Sequence, residues 1–140
     1  MEDKKQALIN ILRNGMKIEY ASIWHYPRLA RLIKDKEAAR IFNQLGQDSV
    51  QHASQVSQML RSLGANPEGD LLSSVREPEP GDIVPILKNM LVAENEAARL
   101  YKEADAIADE YAMRNWLQQQ VKEERQHAAL VKQVLEKLEG

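Results

Sequence analysis

Val121–Gln133 reads VKEERQHAALVKQ, and Asp48–Gln58 reads DSVQHASQVSQ. Sliding the chain along itself by 75 positions lays one stretch on the other: Gln51-His52-Ala53 falls on Gln126-His127-Ala128, Ser49 on Glu124 and Leu60 on Leu135. Without a gap, the same shift places Glu19 on Glu94 and Tyr26 on Tyr101. Each half therefore carries a Glu, a Tyr seven residues later and a His 33 residues after the Glu. A repeat of this kind reports on architecture before it reports on any local motif.

Around these anchors the apolar residues recur at helical spacing. Ala38, Leu45, His52 and Met59 form one seven-residue series and Phe42, Ser49, Val56 and Leu63 another. Met113, Gln120, His127 and Val134 repeat the pattern with Leu117, Glu124, Val131 and Leu138. Such series mark the buried seam of a packed helix. Prolines and glycines gather between Gly64 and Pro85, and the rest of the chain is rich in helix formers. The spacing predicts helices over about 3–33, 36–64, 82–108 and 110–139, with Asp35 and Asp82 as N-caps. Short turns near Lys34 and Asp109 make two antiparallel αα-hairpins, and the segment from about 65 to 81 is long enough to run back along the bundle as a crossover. The second and third helices are then expected to be parallel neighbours. Pro27 should bend the first helix near Ile23. The expectation is an all-α, antiparallel four-helix bundle forming a single domain over residues 1–140.

Composition narrows the function. The 140 residues are 44% hydrophobic and 29% charged, and 19 Lys+Arg against 21 Asp+Glu leave a net charge of −2. That balance supplies no basic field for nucleic acid, and no apolar run approaches the roughly 20 residues needed to span a bilayer. The opening MEDKKQALINILRNG is charged and amphipathic, unlike a signal peptide, so a cytoplasmic protein is expected. With no cysteine, thiolate metal sites and thiol nucleophiles are excluded. Metal chemistry must then use carboxylates and imidazoles.

Hairpin arithmetic brings those groups together. Glu94 and Glu124 average to position 109, the second turn, and so lie level, about 15 residues or roughly 22 Å from it. Glu19 and Ser49 average to 34, the first turn. All four helices can thus feed one central layer, with Glu124 and His127, like Ser49 and His52, three apart on one face. Three carboxylates and two imidazoles are costly to bury unless their charges are compensated, which a divalent ion does. Iron or manganese suits these donors, and zinc also binds such sets. The candidate ligands are Glu19, His52, Glu94, Glu124 and His127.

With Glu19 in IEYASIWHY, Glu94 in VAENEAARLY, and Glu124 and His127 in EERQHA, nearly the whole chain resembles the ferritin-like superfamily, in its rubrerythrin and bacterioferritin branch. The resemblance implies two metal ions held by one Glu from each of two helices and Glu-x-x-His from the other two. It also implies a metal-dependent oxidoreductase or ferroxidase acting on peroxide, dioxygen or ferrous iron. Tyr26 and Tyr101 resemble the rubrerythrin tyrosines that hydrogen-bond carboxylate ligands; packing alone also accounts for them.

The departures open an alternative. Ser49 stands where the family pattern has a Glu, so the site holds either one ion or two, and Asp48 lies about 100° away around the helix. Ala97 replaces an extra rubrerythrin glutamate, Val50 replaces the bacterioferritin haem methionine, and the missing cysteines leave no rubredoxin-type relay. No haem is expected, and a redox reaction needs an external electron donor. The competing class is a noncatalytic metal-binding or helical interaction protein with a degenerate di-iron site. Tyr20, Trp24, Pro27 and Arg31 form a stripe on the first helix, suited to a homodimer contact or to cover by the crossover. His25 points about 120° away from Glu19 and is not expected to be a ligand.

Overall fold

In the computed structural model, which describes residues 2–67 and 76–140, the seven-residue series become four long helices. These are α1 (Glu2–Leu32), α2 (Lys36–Ser62), α3 (Ile83–Ile107) and α4 (Tyr111–Glu139), with a 3-10 turn at Pro80–Asp82 before α3. The bounds fall close to those expected from the spacing. Residues 68–75, the middle of the expected crossover, lie outside the described residues. No helix among the described residues is long and apolar enough to cross a membrane.

Local chemistry explains the ends. Asp35 caps α2 by accepting from the Ala38 amide at 3.0 Å, and Lys137 at the end of α4 donates to the same carboxylate at 2.9 Å. At the other end of α2, Gly64 takes a φ of +79°, which a residue with a Cβ adopts only at a cost. The Gly64 amide donates to the Arg61 carbonyl and the Ala65 amide to the Leu60 carbonyl, closing the helix. Asp82 does not cap α3 as expected. Its backbone is already helical, and its carboxylate accepts instead from the Glu79 amide and from Arg76, because Pro80 and Gly81 insert a tight turn first.

Helix α1 packs on α2 and α3 on α4, the two expected hairpins, while α1 also packs on α3 and α2 more lightly on α4. Lys4 binds Asp109 at one end of the bundle and Lys137 binds Asp35 at the other, so α2 and α3 run the same way. They are diagonal rather than neighbouring, which corrects the sequence expectation and makes every adjacent pair antiparallel. Both described ends of the connection between them are fastened to α1, through Arg13 to the Asn66 carbonyl and Arg28 to Glu77.

Two apolar clusters fill the interior. Leu12, Met16, Val56, Leu60, Ala104 and Leu117 sit in one, and Leu29, Phe42, Leu45, Leu87, Val131 and Leu135 in the other. The predicted ligand layer falls between them along all four helices. Helix α1 runs through Pro27 without a break. The proline ring lies against Gly46 of α2, where an added Cβ would sit 3.2 Å from its Cγ. Gly46 thus lets α1 and α2 approach at the point where Pro27 would otherwise hold them apart.

This close approach generates a stability prediction. Gly46→Leu should lower the folding free energy by about 1–3 kcal/mol through overpacking, read as a lower urea midpoint. Gly81→Ala, with nothing within 4 Å of the new methyl, should leave the unfolding free energy within about 0.5 kcal/mol of native.

Candidate metal centre

The central layer receives acidic or imidazole groups from all four helices, one each from α1, α2 and α3 and two from α4. Glu19, His52, Glu94, Glu124 and His127 are all buried, none more than 4% exposed. They form two groups, Glu19–His52–Glu124 and Glu94–Glu124–His127, within each of which one donor atom per residue lies within 4.8 Å of the others. All five expected candidates are brought together, and Glu124 belongs to both groups. His25 belongs to neither.

The imidazoles show which atoms face inward. His52 Nδ1 lies 3.0 Å from Glu124 Oε1 and 3.5 Å from Glu19 Oε2, and His127 Nδ1 lies 3.0 Å from Glu94 Oε2. The rings stack with centroids 5.7 Å apart. Each Nε2 turns away to a carboxylate of the opposite hairpin: His52 to Glu123 at 3.2 Å and His127 to Asp48 at 3.0 Å. A histidine so held donates its outer N–H to the acid and turns Nδ1 to the layer, where a proton shared with the facing carboxylates or a metal ion can occupy it, the arrangement that orients metal-ligating imidazoles.

Sequence reasoning found no part for Asp48 without helix distortion and did not single out Glu123. The signal was present, since 48 and 123 are 75 apart and both positions are acidic. What the linear reading lacked was that each acid serves the histidine of the other hairpin.

The two tyrosines do not play matching parts. Tyr101 donates to Glu19 Oε2 at 2.7 Å and meets Trp116 edge-on, while Trp116 donates to Gln55 at 2.6 Å. Gly15 makes room for this, because a Cβ there would lie 2.8 Å from the Tyr101 ring. At the repeat-related position stands Met90. Tyr26 stacks on Phe42 instead, and its buried hydroxyl has no hydrogen-bond partner. Burial, then the neighbouring glutamates, holds both phenols neutral, well above the usual tyrosine range.

Glu19 Oε1, both Glu94 oxygens and Glu124 Oε2 are buried without a hydrogen-bond donor. Orphaned acceptors cost about 1–3 kcal/mol each or more when charged, so the layer is built for something that binds oxygen. A cation at the Nδ1 atoms and these oxygens fits the donor set. Three hard oxygens shared with two imidazoles suit iron or manganese, with zinc also compatible.

Without a cation, protons must do the compensating. Burial, followed by the charge of Glu19, pushes Glu124 well above the usual carboxylate range, and burial also raises Glu94. Burial opposes charging of His52, but its bonds to Glu124 and Glu19 outweigh this and raise it from 6.5 to about 11. His127, opposed by burial and favoured mainly by Glu94, is raised to about 9. The folded state thus binds protons more tightly than the unfolded chain. The histidine contribution to stability is full below pH 6.5 and is lost as pH rises through about 9 to 11. The raised carboxylates act in the same direction. The melting temperature of metal-free protein should therefore fall between about pH 6 and 10, and His52→Gln should flatten that fall.

The ferritin-like domain profile matches residues 9–140. A sequence comparison with curated proteins finds no significant match. Among solved structures, a ferritin-like, diiron-carboxylate protein from Bacillus anthracis str. Ames is similar with a TM-score of 0.82 at 18% identity, over 96% of this chain and 99% of that one. A dodecameric thioferritin, the bacterioferritin-related protein of Bacteroides fragilis, is similar at 0.80 and 16% identity, over 96% and 87% of the two chains. A conserved hypothetical protein from Mycobacterium tuberculosis is similar at 0.74 and 16% identity, over 94% and 92%. With four antiparallel helices closing on a buried Glu/His layer and a profile match across nearly its whole length, the chain belongs to the ferritin-like domain family.

Proposed function

We propose that this single ferritin-like domain binds two iron ions and works as a metal-dependent oxidoreductase or ferroxidase, with peroxide, dioxygen or ferrous iron as substrate. The observation that carries the reading is Glu124, one buried carboxylate common to two Glu–His groups. A lone carboxylate between two histidines would serve one ion; a shared one serves a pair. Glu19 with His52 and Glu94 with His127 are the two ends, using the Nδ1 atoms. Two bound iron ions supply two electrons to an oxygen substrate.

The chain's own groups do the positioning. Tyr101 holds Glu19 through Oε2 and leaves Oε1 for a ligand. Glu123 and Asp48 fix the imidazole rings, and both are partly exposed, so they also present negative charge to arriving cations. Apolar clusters flank the layer on either side along the bundle. With no cysteine in the chain, electrons for repeated turnover come from an external donor. A homodimer is part of the proposal: Tyr20 and Trp24 of the α1 stripe remain half-buried, with the Arg28 guanidinium laid over the Trp24 ring and tied to Glu77. The Bacteroides fragilis relative shows that this fold supports larger assemblies.

Ser49 favours the second reading, a noncatalytic metal-binding protein, because a carboxylate is missing from the layer. Anaerobic titration with iron(II) separates the two. The expected result is two ions per chain, followed by iron oxidation on adding peroxide or dioxygen; binding without oxidation supports the second reading.

Because ions bound to the folded state alone add about 2.7 kcal/mol at a hundredfold excess over the dissociation constant, iron(II) should raise the melting temperature by several degrees. Glu124→Ala should abolish most of that rise. Glu123→Gln and Asp48→Asn should each weaken metal binding by about 10–100-fold. A native melting temperature indifferent to iron(II) and manganese(II) would count against the proposal.

A further inference from the structure

The 75-residue offset relates the two ends of the bundle as well as its middle. One end, where α1 turns into α2 and α3 begins, holds a cavity of about 420 Å³ walled by Leu32, Ile33, Ala38, Ile83, Val134 and Leu138. The other end holds one of about 290 Å³. Its walls include Ile107, Met113, Leu8 and Leu63, which stand 75 positions from Leu32, Ala38, Ile83 and Leu138. The related walls differ most in size at one buried position, where a single methyl at Ala38 answers the long side chain of Met113. The larger cavity lies on the alanine side.

Charge separates the two ends as well. At the smaller cavity Lys4 and Lys5 are balanced by Asp109 and Glu110, and Lys4 binds Asp109 at 2.9 Å. At the larger one the charged lining residues among those described are Lys34, Asp35 and Lys137. Asp35 accepts from Lys137 and from the Ala38 amide, so these two charges cancel. Lys34 stands where the other end has Asp109; it is exposed and has no acid partner among the described residues. Beside the lining residues in the chain, Glu37, Asp82 and Glu139 pair with Arg40, Arg76 and Lys88, while Arg31 and Lys36 offset Glu79 and Glu136. One ammonium is left unmatched at the rim of an apolar cavity.

A volume in the range of small-molecule sites, mostly apolar walls and a single charge to fix orientation suit an amphiphile with an anionic head. We propose that this end cavity binds a free medium-chain fatty acid, with its hydrocarbon tail against Ile33, Ala38, Ile83 and Val134 and its carboxylate on the Lys34 ammonium. The lysine stem lies along the apolar rim and keeps its head in water, where it meets the carboxylate without being desolvated. Release of water from the apolar walls supplies the affinity, and the ion pair sets which end enters and disfavours cationic amphiphiles. Lying at the end of the bundle, the cavity needs no metal in the central layer to bind its ligand.

The test is titration of the methyl-labelled full chain with decanoate, followed by NMR. The methyls of Ile33, Ile83 and Val134 should shift saturably, while those of Leu8 and Leu63 at the other end stay in place. Decyltrimethylammonium, with the same tail and a cationic head, should bind about tenfold more weakly or worse. Lys34→Gln should weaken decanoate by about threefold. Ala38→Met, which installs the residue found at the related end, should abolish the Ile83 and Val134 shifts. In native protein, unmoved Ile83 and Val134 methyls, equal shifts at both ends or equal affinity for the cationic amphiphile would each overturn the proposal. So would a Lys34→Gln chain that binds decanoate as tightly as native. Shifts that follow protein concentration rather than decanoate would make a second copy of the chain the occupant, and overturn it too.

Discussion

Placing three carboxylates and two imidazoles in the middle of an apolar bundle is the constraint on which the rest of the structure depends. A layer of leucines would stabilise the core by about 1.5–3 kcal/mol per side chain; this layer must instead be compensated atom by atom. Each imidazole is clamped from outside by an acid of the opposite hairpin, and Glu19 is clamped by Tyr101. Glu19 Oε1, both Glu94 oxygens and Glu124 Oε2 are left without a hydrogen-bond donor. Apolar clusters at both ends of the bundle carry the stability that the layer forgoes.

The internal repeat sets the layer up, and departures from it divide the labour. Gly15 admits the Tyr101 ring beside Glu19, whereas Met90 stands at the related position and Tyr26 packs on Phe42. Ser49 withdraws a carboxylate where Glu124 supplies one. One half is therefore a complete Glu–Glu–His group in its own right, and the other borrows Glu124 across the bundle. A symmetric arrangement would clamp and charge both halves alike; in this chain the two halves differ in both respects.

Much of this was legible in the sequence because helical periodicity and the 75-residue offset are one-dimensional signals. The five candidate residues and the Asp35 cap followed from spacing alone. Asp82 did not, since the preceding Pro80-Gly81 pair builds a 3-10 turn that spacing rules do not anticipate. The diagonal placement of α2 and α3 depends on which hairpin faces meet, and the Asp48–His127 and Glu123–His52 contacts cross between hairpins. Leu138, periodic with the seam, is 40% exposed because α4 reaches the end of the bundle there. Periodicity reports which face turns inward, and it does not report where the neighbouring helix stops.

The central claim is that Glu124 lies between two ions. Anomalous X-ray scattering from crystals of the full chain soaked in manganese(II) tests it directly. The account predicts two peaks about 3.5–4 Å apart, one beside Glu19 and His52 and one beside Glu94 and His127, with Glu124 between them. Scattering confined to surface carboxylates, or a single peak that leaves either histidine Nδ1 without a metal, would contradict it.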